Sequence, residues 1–170
     1  MKPEFKHQII ELLDSHRIMT IATNRPDGWP QATIVGYAND GLLIYCFIGR
    51  GGQKFANIIR DSRVSVAVGD DVPQPLQIKA LSLAAHVAVV DDPAEIERAI
   101  AALLRRYPEY ATMPRPDLAE VAILRVMPEV VSILDYAKGF GHADLVDVTA
   151  GNLPEHVDTL QHRWLAQQPA

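Results

Sequence analysis

The sequence predicts a mainly β fold in which six or more antiparallel strands close into a barrel with two or three helices on its flanks. Short β-branched and apolar segments recur, separated by turn signals such as Pro26-Asp27-Gly28 and Asn39-Asp40-Gly41. No helix separates the first three of these segments, whereas a doubly wound parallel sheet needs a long crossover between neighbouring strands. Helical spacing of apolar residues is confined to a few stretches near the start and middle of the chain.

Residues 4–16 read as a helix, with Phe5, Ile9, Leu12 and Leu13 on one face and Pro3 at a helix start that tolerates it. Ile18–Thr23, Gln31–Tyr37 and Leu42–Ile48 follow as strands joined by tight turns, the pattern of an antiparallel meander. The glycine-rich stretch Gly49–Gly52 leads into a short helix, Gln53–Arg60. Val64–Val68 alternates strictly, which places three valines on one face. After the loop at Pro73 and Pro75 comes a long apolar strand, Ile78–Val90. Asp91-Asp92-Pro93 starts a helix whose stripe is Ile96, Ile100, Leu103, Leu104 and Tyr107. A loop punctuated by Pro108, Pro114 and Pro116 precedes the strand stretch Val121–Leu134, which Pro128 interrupts. The expected division is a barrel domain over 1–150 and a helical tail over 151–170, helical from Pro154 to Gln168, carrying Trp164 and packed on the same domain.

The chain has 170 residues and a formal net charge of −5, which argues against nucleic acid as a partner. Its longest apolar run, Leu42–Ile48, is far short of the ~20 residues of a spanning helix, and the start lacks an apolar leader. The expectation is therefore a cytoplasmic protein with no membrane partner. Cys46 is the single cysteine, so no internal disulfide or Cys/His zinc spacing is available. Its place inside an apolar strand points to burial rather than reactivity. The six histidines form neither HExxH nor an i, i+4 pair, and no metal site is expected.

Two loops concentrate chemistry. In Gly49-Arg50-Gly51-Gly52-Gln53-Lys54, glycines allow backbone N–H groups to converge, a helix start adds partial positive charge, and Arg50 and Lys54 add full charges. That combination suits phosphate, although a plain hairpin-to-helix connection with a solvated lysine uses the same residues. Tyr136-Ala-Lys138-Gly139-Phe140-Gly141-His142 gathers a phenol, an ammonium and an imidazole after a strand. It reads equally as a turn that anchors Phe140.

The ordered series Met19-Thr-Ile-Ala-Thr-Asn, Pro26-Asp-Gly-Trp-Pro30, Gln31-Ala-Thr-Ile-Val35, Leu43-Ile-Tyr45, Gln53-Lys54-Phe-Ala-Asn57-Ile and Asp61-Ser-Arg63-Val-Ser-Val66 resembles the pyridoxamine 5′-phosphate oxidase-like family. The resemblance implies a Greek-key split β-barrel that binds FMN at the interface of a homodimer, and a flavin-dependent oxidoreductase acting on a small molecule. It implies a flavin ring along Thr33, Ile34 and Val35, and a ribityl phosphate held by Cys46, Phe47, Gly52, Gln53 and Lys54, with Arg50 in the longer loop. Gln77 is the candidate for a contact across the dimer, and His142 and Tyr136 are candidates for the substrate side. Members of the family often carry a hydroxyl residue and an arginine where this chain has Gly52 and Gln53. The signature of the true vitamin B6 oxidases is not visible. A non-catalytic flavin carrier, or the same barrel holding deazaflavin F420 or haem, stands as the alternative.

Overall fold

A computed structural model describes residues 2–148 and 157–158. Helix α1 (Pro3–Ser15) precedes strands β1 (Ile18–Asn24), β2 (Pro30–Gly36), β3 (Ala38–Asp40) and β4 (Leu43–Gly49). Then come α2 (Gln53–Arg60), β5 (Arg63–Gly69), β6 (Lys79–Val89), α3 (Pro93–Arg106), β7 (Val121–Asp135), β8 (Ala143–Asp147) and β9 (Val157–Asp158). Every strand pair is antiparallel, in the order β2-β1-β5-β6-β7-β4-β3, with β8 and β9 added on β7. The sheet curls into the expected split barrel. Of the tail expected to be helical, Val157–Asp158 is strand beside β8, and the rest lies outside the described residues.

The barrel interior is filled from alternate positions: Met19 and Ile21 from β1, Ile44 and Cys46 from β4, Val64, Val66 and Val68 from β5, Leu81 and Leu83 from β6. Phe5, Ile9 and Leu13 of α1 close the same core, the face the spacing predicts. The last turn of α1 leaves backbone carbonyls without helical partners. Distant groups satisfy them: the Tyr37 hydroxyl donates to Leu13 O at 2.8 Å, and Arg106 Nη1 donates to Leu13 O at 2.9 Å and Asp14 O at 3.1 Å.

Three expectations are corrected. Leu43–Gly49 does not continue a meander from β2; it pairs with the short β3 and with β7. The reason is a kink at Tyr37, whose ring enters the core while its N–H donates to Arg17 O at 3.1 Å and to the Tyr107 hydroxyl at 3.0 Å. Pro128 does not break β7. It sits at a bulge opposite Ala84/Ala85, in the gap where β7 exchanges β4 (paired to Val126) for β8 (paired from Val130). In α3 the buried face is Glu95, Ala99, Ala102 and Leu103, so Leu104 is left outside the packed stripe. Glu95 is buried because Arg125 of β7 grips both its oxygens at 2.9 and 2.7 Å and the Tyr45 hydroxyl donates to it at 3.0 Å.

Candidate functional site

The kink at Tyr37 creates the site. Because β2 and β3 lie at opposite ends of the strand order, β2 has no strand partner on the side away from β1. On the facing edge of β4, β3 covers only Leu43–Tyr45, so Cys46–Gly49 are open there as well. The barrel is thus split along a seam bounded by β2 and the end of β4, with backbone donors and acceptors on both margins. Thr33, Ile34 and Val35 lie on one margin, and Cys46 and Phe47 on the other. The Thr33 Oγ1 is buried without a hydrogen-bond partner among the described residues, while Ile34 points outward, 68% exposed.

The Gly49–Gly52 loop closes the end of the seam. Gly52 is the N-cap of α2 without a side-chain cap, leaving first-turn N–H groups for a ligand. Lys54, in that first turn, is half-buried and makes no ion pair among the described residues. Burial lowers its pKa, and the neighbouring Cys46 opposes that shift. A cation partly stripped of water and lacking a counterion is favourable ground for an anion. Arg50, in the loop, is partly engaged. Its Nε donates to Leu118 O at 2.8 Å, its N–H donates to Glu120 O at 2.8 Å, and its guanidinium lies over the Phe55 ring. Gln53 is likewise engaged, its Nε2 donating to Asn57 Oδ1 at 2.8 Å.

Behind the loop lies a polar network that the sequence reading missed. Asn57, fully buried in α2, donates from Nδ2 to Thr23 Oγ1 and to Gln31 Oε1, each at 3.0 Å. It bolts α2 to the β1–β2 hairpin and so sets the distance between the two margins. The signal that could have found it is an asparagine beside the apolar Ile58 on the buried face of α2.

A model of the family described as pyridoxamine 5′-phosphate oxidase matches residues 5–135. That span contains both margins of the seam, the loop and Lys54.

The chain belongs to the pyridoxamine 5′-phosphate oxidase family.

Among solved structures, a Listeria innocua protein named for the same oxidase is 21% identical, with 77% of this chain and 98% of that one covered, at a TM-score of 0.64. A haem-binding protein of Mycobacterium smegmatis is 20% identical over 86% of this chain and 59% of its own, at a TM-score of 0.70. An F420 reductase is 30% identical over 72% of this chain and 94% of its own, at a TM-score of 0.58. No curated protein sequence matches the chain.

Within this family frame, the remaining candidate residues fall elsewhere. The Phe47 side chain turns away from the barrel interior and packs with Tyr107 and Leu103 against α3, so only its backbone lines the seam. Cys46 faces the core, and burial pushes its thiol up to about 12, which keeps it protonated. Gln77 is exposed at the end of a 3-10 turn, Pro75–Gln77, beside the second cluster: Tyr136 N–H donates to Ile78 O at 3.0 Å. In that cluster the buried Asp144 carboxylate binds Lys138 Nζ at 2.6 Å and His142 Nε2 at 3.0 Å. Gly139 and Gly141, with φ of 146° and 78°, shape a tip from which Phe140 projects. Within one chain, all 15 residues of β7 separate this cluster from the loop. The structure does not bring the two together.

Among the described residues no helix is long and apolar enough to cross a membrane. Among the described residues no group of His, Cys, Asp or Glu is arranged to hold a metal ion.

Proposed function

We propose that this protein binds FMN in the seam and works as a flavin-dependent oxidoreductase on a small molecule. The observation that carries this reading is Lys54, a half-buried cation without a counterion among the described residues, at the end of a cleft whose two margins are open strand edges. A flavin requires that pair of features: an anion site for the ribityl phosphate, and backbone donors and acceptors for the polar rim of the ring. The buried Thr33 Oγ1 supplies a further hydrogen-bonding group on the β2 margin. When bound, the flavin supplies the electron chemistry, and the protein binds and orients it. Lys54 and the first-turn N–H groups of α2 hold the phosphate, and Gln53, engaged with Asn57, adds little. The expected affinity is accordingly lower than a site with an arginine at position 53 would give, since a charge-assisted bond is worth ~1.5–3 kcal/mol.

Two copies of the chain complete the site in this reading. The outer face of the sheet carries rows of small residues in register, among them Thr20, Ala67 and Ser82 on three adjacent strands and Ala22, Ser65 and Ala84 beside them. Such rows of small side chains, bordered by Arg63 and His86, suit the close approach of a second copy of the chain. Gln77, Tyr136 and His142 then reach the flavin from the partner subunit.

A second reading places deazaflavin F420 in the same seam, favoured by the 30% identity to an F420 reductase. Both cofactors join a tricyclic ring to a phosphate-bearing chain. Haem fits less well. It takes an axial ligand, often histidine, and none of His7, His16, His86 and His142, the histidines among the described residues, lies on β2 or β4, the strands that bound the seam.

The test is titration of the purified protein with FMN and with F420, followed by fluorescence and sedimentation. One FMN per chain, with affinity reduced at least tenfold in Lys54→Met, is the expected result. Tighter binding of F420 selects the second reading, and no binding of either cofactor overturns both.

A further inference from the structure

A cavity of about 670 Å³ lies outside the seam, between α3 and the segment 107–116. Its size falls within the ~300–1,000 Å³ typical of small-molecule sites. Its walls are apolar and aromatic, from Phe47, Ile100, Leu104, Tyr107, Tyr110 and Met113. Tyr107 and Tyr110 stack with centroids 5.2 Å apart and planes within 8°, and Arg17 lies over the Tyr107 ring at 4.5 Å, so Tyr110, 49% exposed, is the ring of the pair that offers the cavity a free face. Leu104, Tyr110 and Met113 are 40, 49 and 60% exposed, an apolar cluster that a ligand would cover.

Charge narrows the ligand. The charged residues of the wall, Glu97 and Arg115, pair with each other. Nearby Arg17 pairs with Glu109, and Arg106 is spent on the carbonyls that end α1. The cavity therefore has no net charge and no spare cation for a phosphate ester. Its floor also fixes its place in the molecule. Gly36 and Phe47 line it, and they adjoin Val35 and Cys46 on the two margins of the seam. A Cβ on residue 36 would meet the Tyr107 hydroxyl at 2.9 Å, so the glycine is what lets Tyr107 lie against this floor.

We propose that this cavity binds a flat, uncharged aromatic molecule, and that this molecule is the one brought beside the cofactor. The second half rests on the flavin reading above; the cavity's ligand class does not. The free face of Tyr110 stacks on the molecule, Leu104 and Met113 cover it, and a phosphorylated pyridoxamine is turned away because no cation of the wall is left to pair its charge.

The experiment uses the full chain, free of cofactor, and prodan, a neutral planar fluorescent naphthalene, with pyridoxamine 5′-phosphate as competitor. Saturable binding of one prodan per chain with a blue-shifted emission is expected, weakened at least tenfold in Met113→Glu and in Leu104→Glu. Both positions are surface-accessible, so the variants fold, as circular dichroism will check, and they bind FMN as the parent does. Pyridoxamine 5′-phosphate leaves the signal unchanged. The proposal is overturned if prodan does not saturate, if folded Met113→Glu and Leu104→Glu bind it like the parent, or if pyridoxamine 5′-phosphate displaces it. A cavity already covered by the chain's own tail or by a second copy gives the first of these results. Prodan binding by a chain that takes neither FMN nor F420 keeps the cavity's ligand class and removes its role beside a cofactor. Cofactor binding without prodan binding overturns the proposal and leaves the flavin reading standing.

Discussion

Replacing Asn57 with alanine tests whether the buried network sets the seam. The side chain makes three hydrogen bonds, to Thr23 Oγ1, to Gln31 Oε1 and from Gln53 Nε2. At ~1 kcal/mol net for each, their loss amounts to ~3 kcal/mol, with the stranded Thr23 hydroxyl holding the figure at that level rather than below it. For a chain of this size ~1 kcal/mol corresponds to ~2–4 °C in Tm, so Asn57→Ala is expected to melt ~6–12 °C lower. Gln53→Ala removes only the outermost bond and is expected to cost ~1 kcal/mol or less. Urea unfolding of both variants, with FMN titration of each below its transition, separates stability from site geometry. The expected pattern is a large loss of stability and a weaker cofactor site in Asn57→Ala, and small changes in Gln53→Ala. Equal and small effects, both under ~0.5 kcal/mol, would show that the network carries neither the packing of α2 nor the spacing of the seam.

Other outcomes follow from the same geometry. Gly36→Ala forces a Cβ against the Tyr107 hydroxyl and is expected to cost ~1–3 kcal/mol by urea unfolding, whereas Gly28→Ala, with open space around it but a φ of +86°, tests backbone strain alone. Lys54 has a folded pKa below its unfolded value, so the unfolded chain binds more protons between the two; stability of the cofactor-free protein rises with pH through that window. Adding FMN or substituting Lys54→Met is expected to flatten that slope, and an unchanged slope in the variant would assign it to another group. Cys46, buried and with its thiol pushed up to about 12, is expected to ignore Ellman's reagent at pH 8 until the protein is unfolded. Rapid labelling of the native protein would contradict that burial.

Periodicity and turn chemistry are local properties, and the elements they govern were legible without a structure. The alternation Val64–Val68 became β5, the spacing of Phe5, Ile9 and Leu13 became the buried face of α1, and Gly52-Gln53-Lys54 became a helix start at the cleft. The errors came from interactions between residues far apart in the chain. Nothing near Tyr37 announces that the strand breaks there, because the groups that hold the kink are Leu13, Arg17 and Tyr107. Pro128 looked like an end because the exchange of β4 for β8 along β7 is visible only once the sheet has formed. That Arg50 donates through Nε to Leu118 O and lies over the Phe55 ring was equally invisible in its neighbours.

By itself, then, the sequence determined the antiparallel barrel, the family and the loop with Lys54, because each is written in neighbouring residues or in an ordered series of short motifs. The tertiary structure alone decided where the barrel splits, which of its cations remain without a counterion, and that α3 and the 107–116 segment enclose an uncharged cavity beside the seam. Those properties depend on partners brought together across tens of residues, and local spacing carries no record of them.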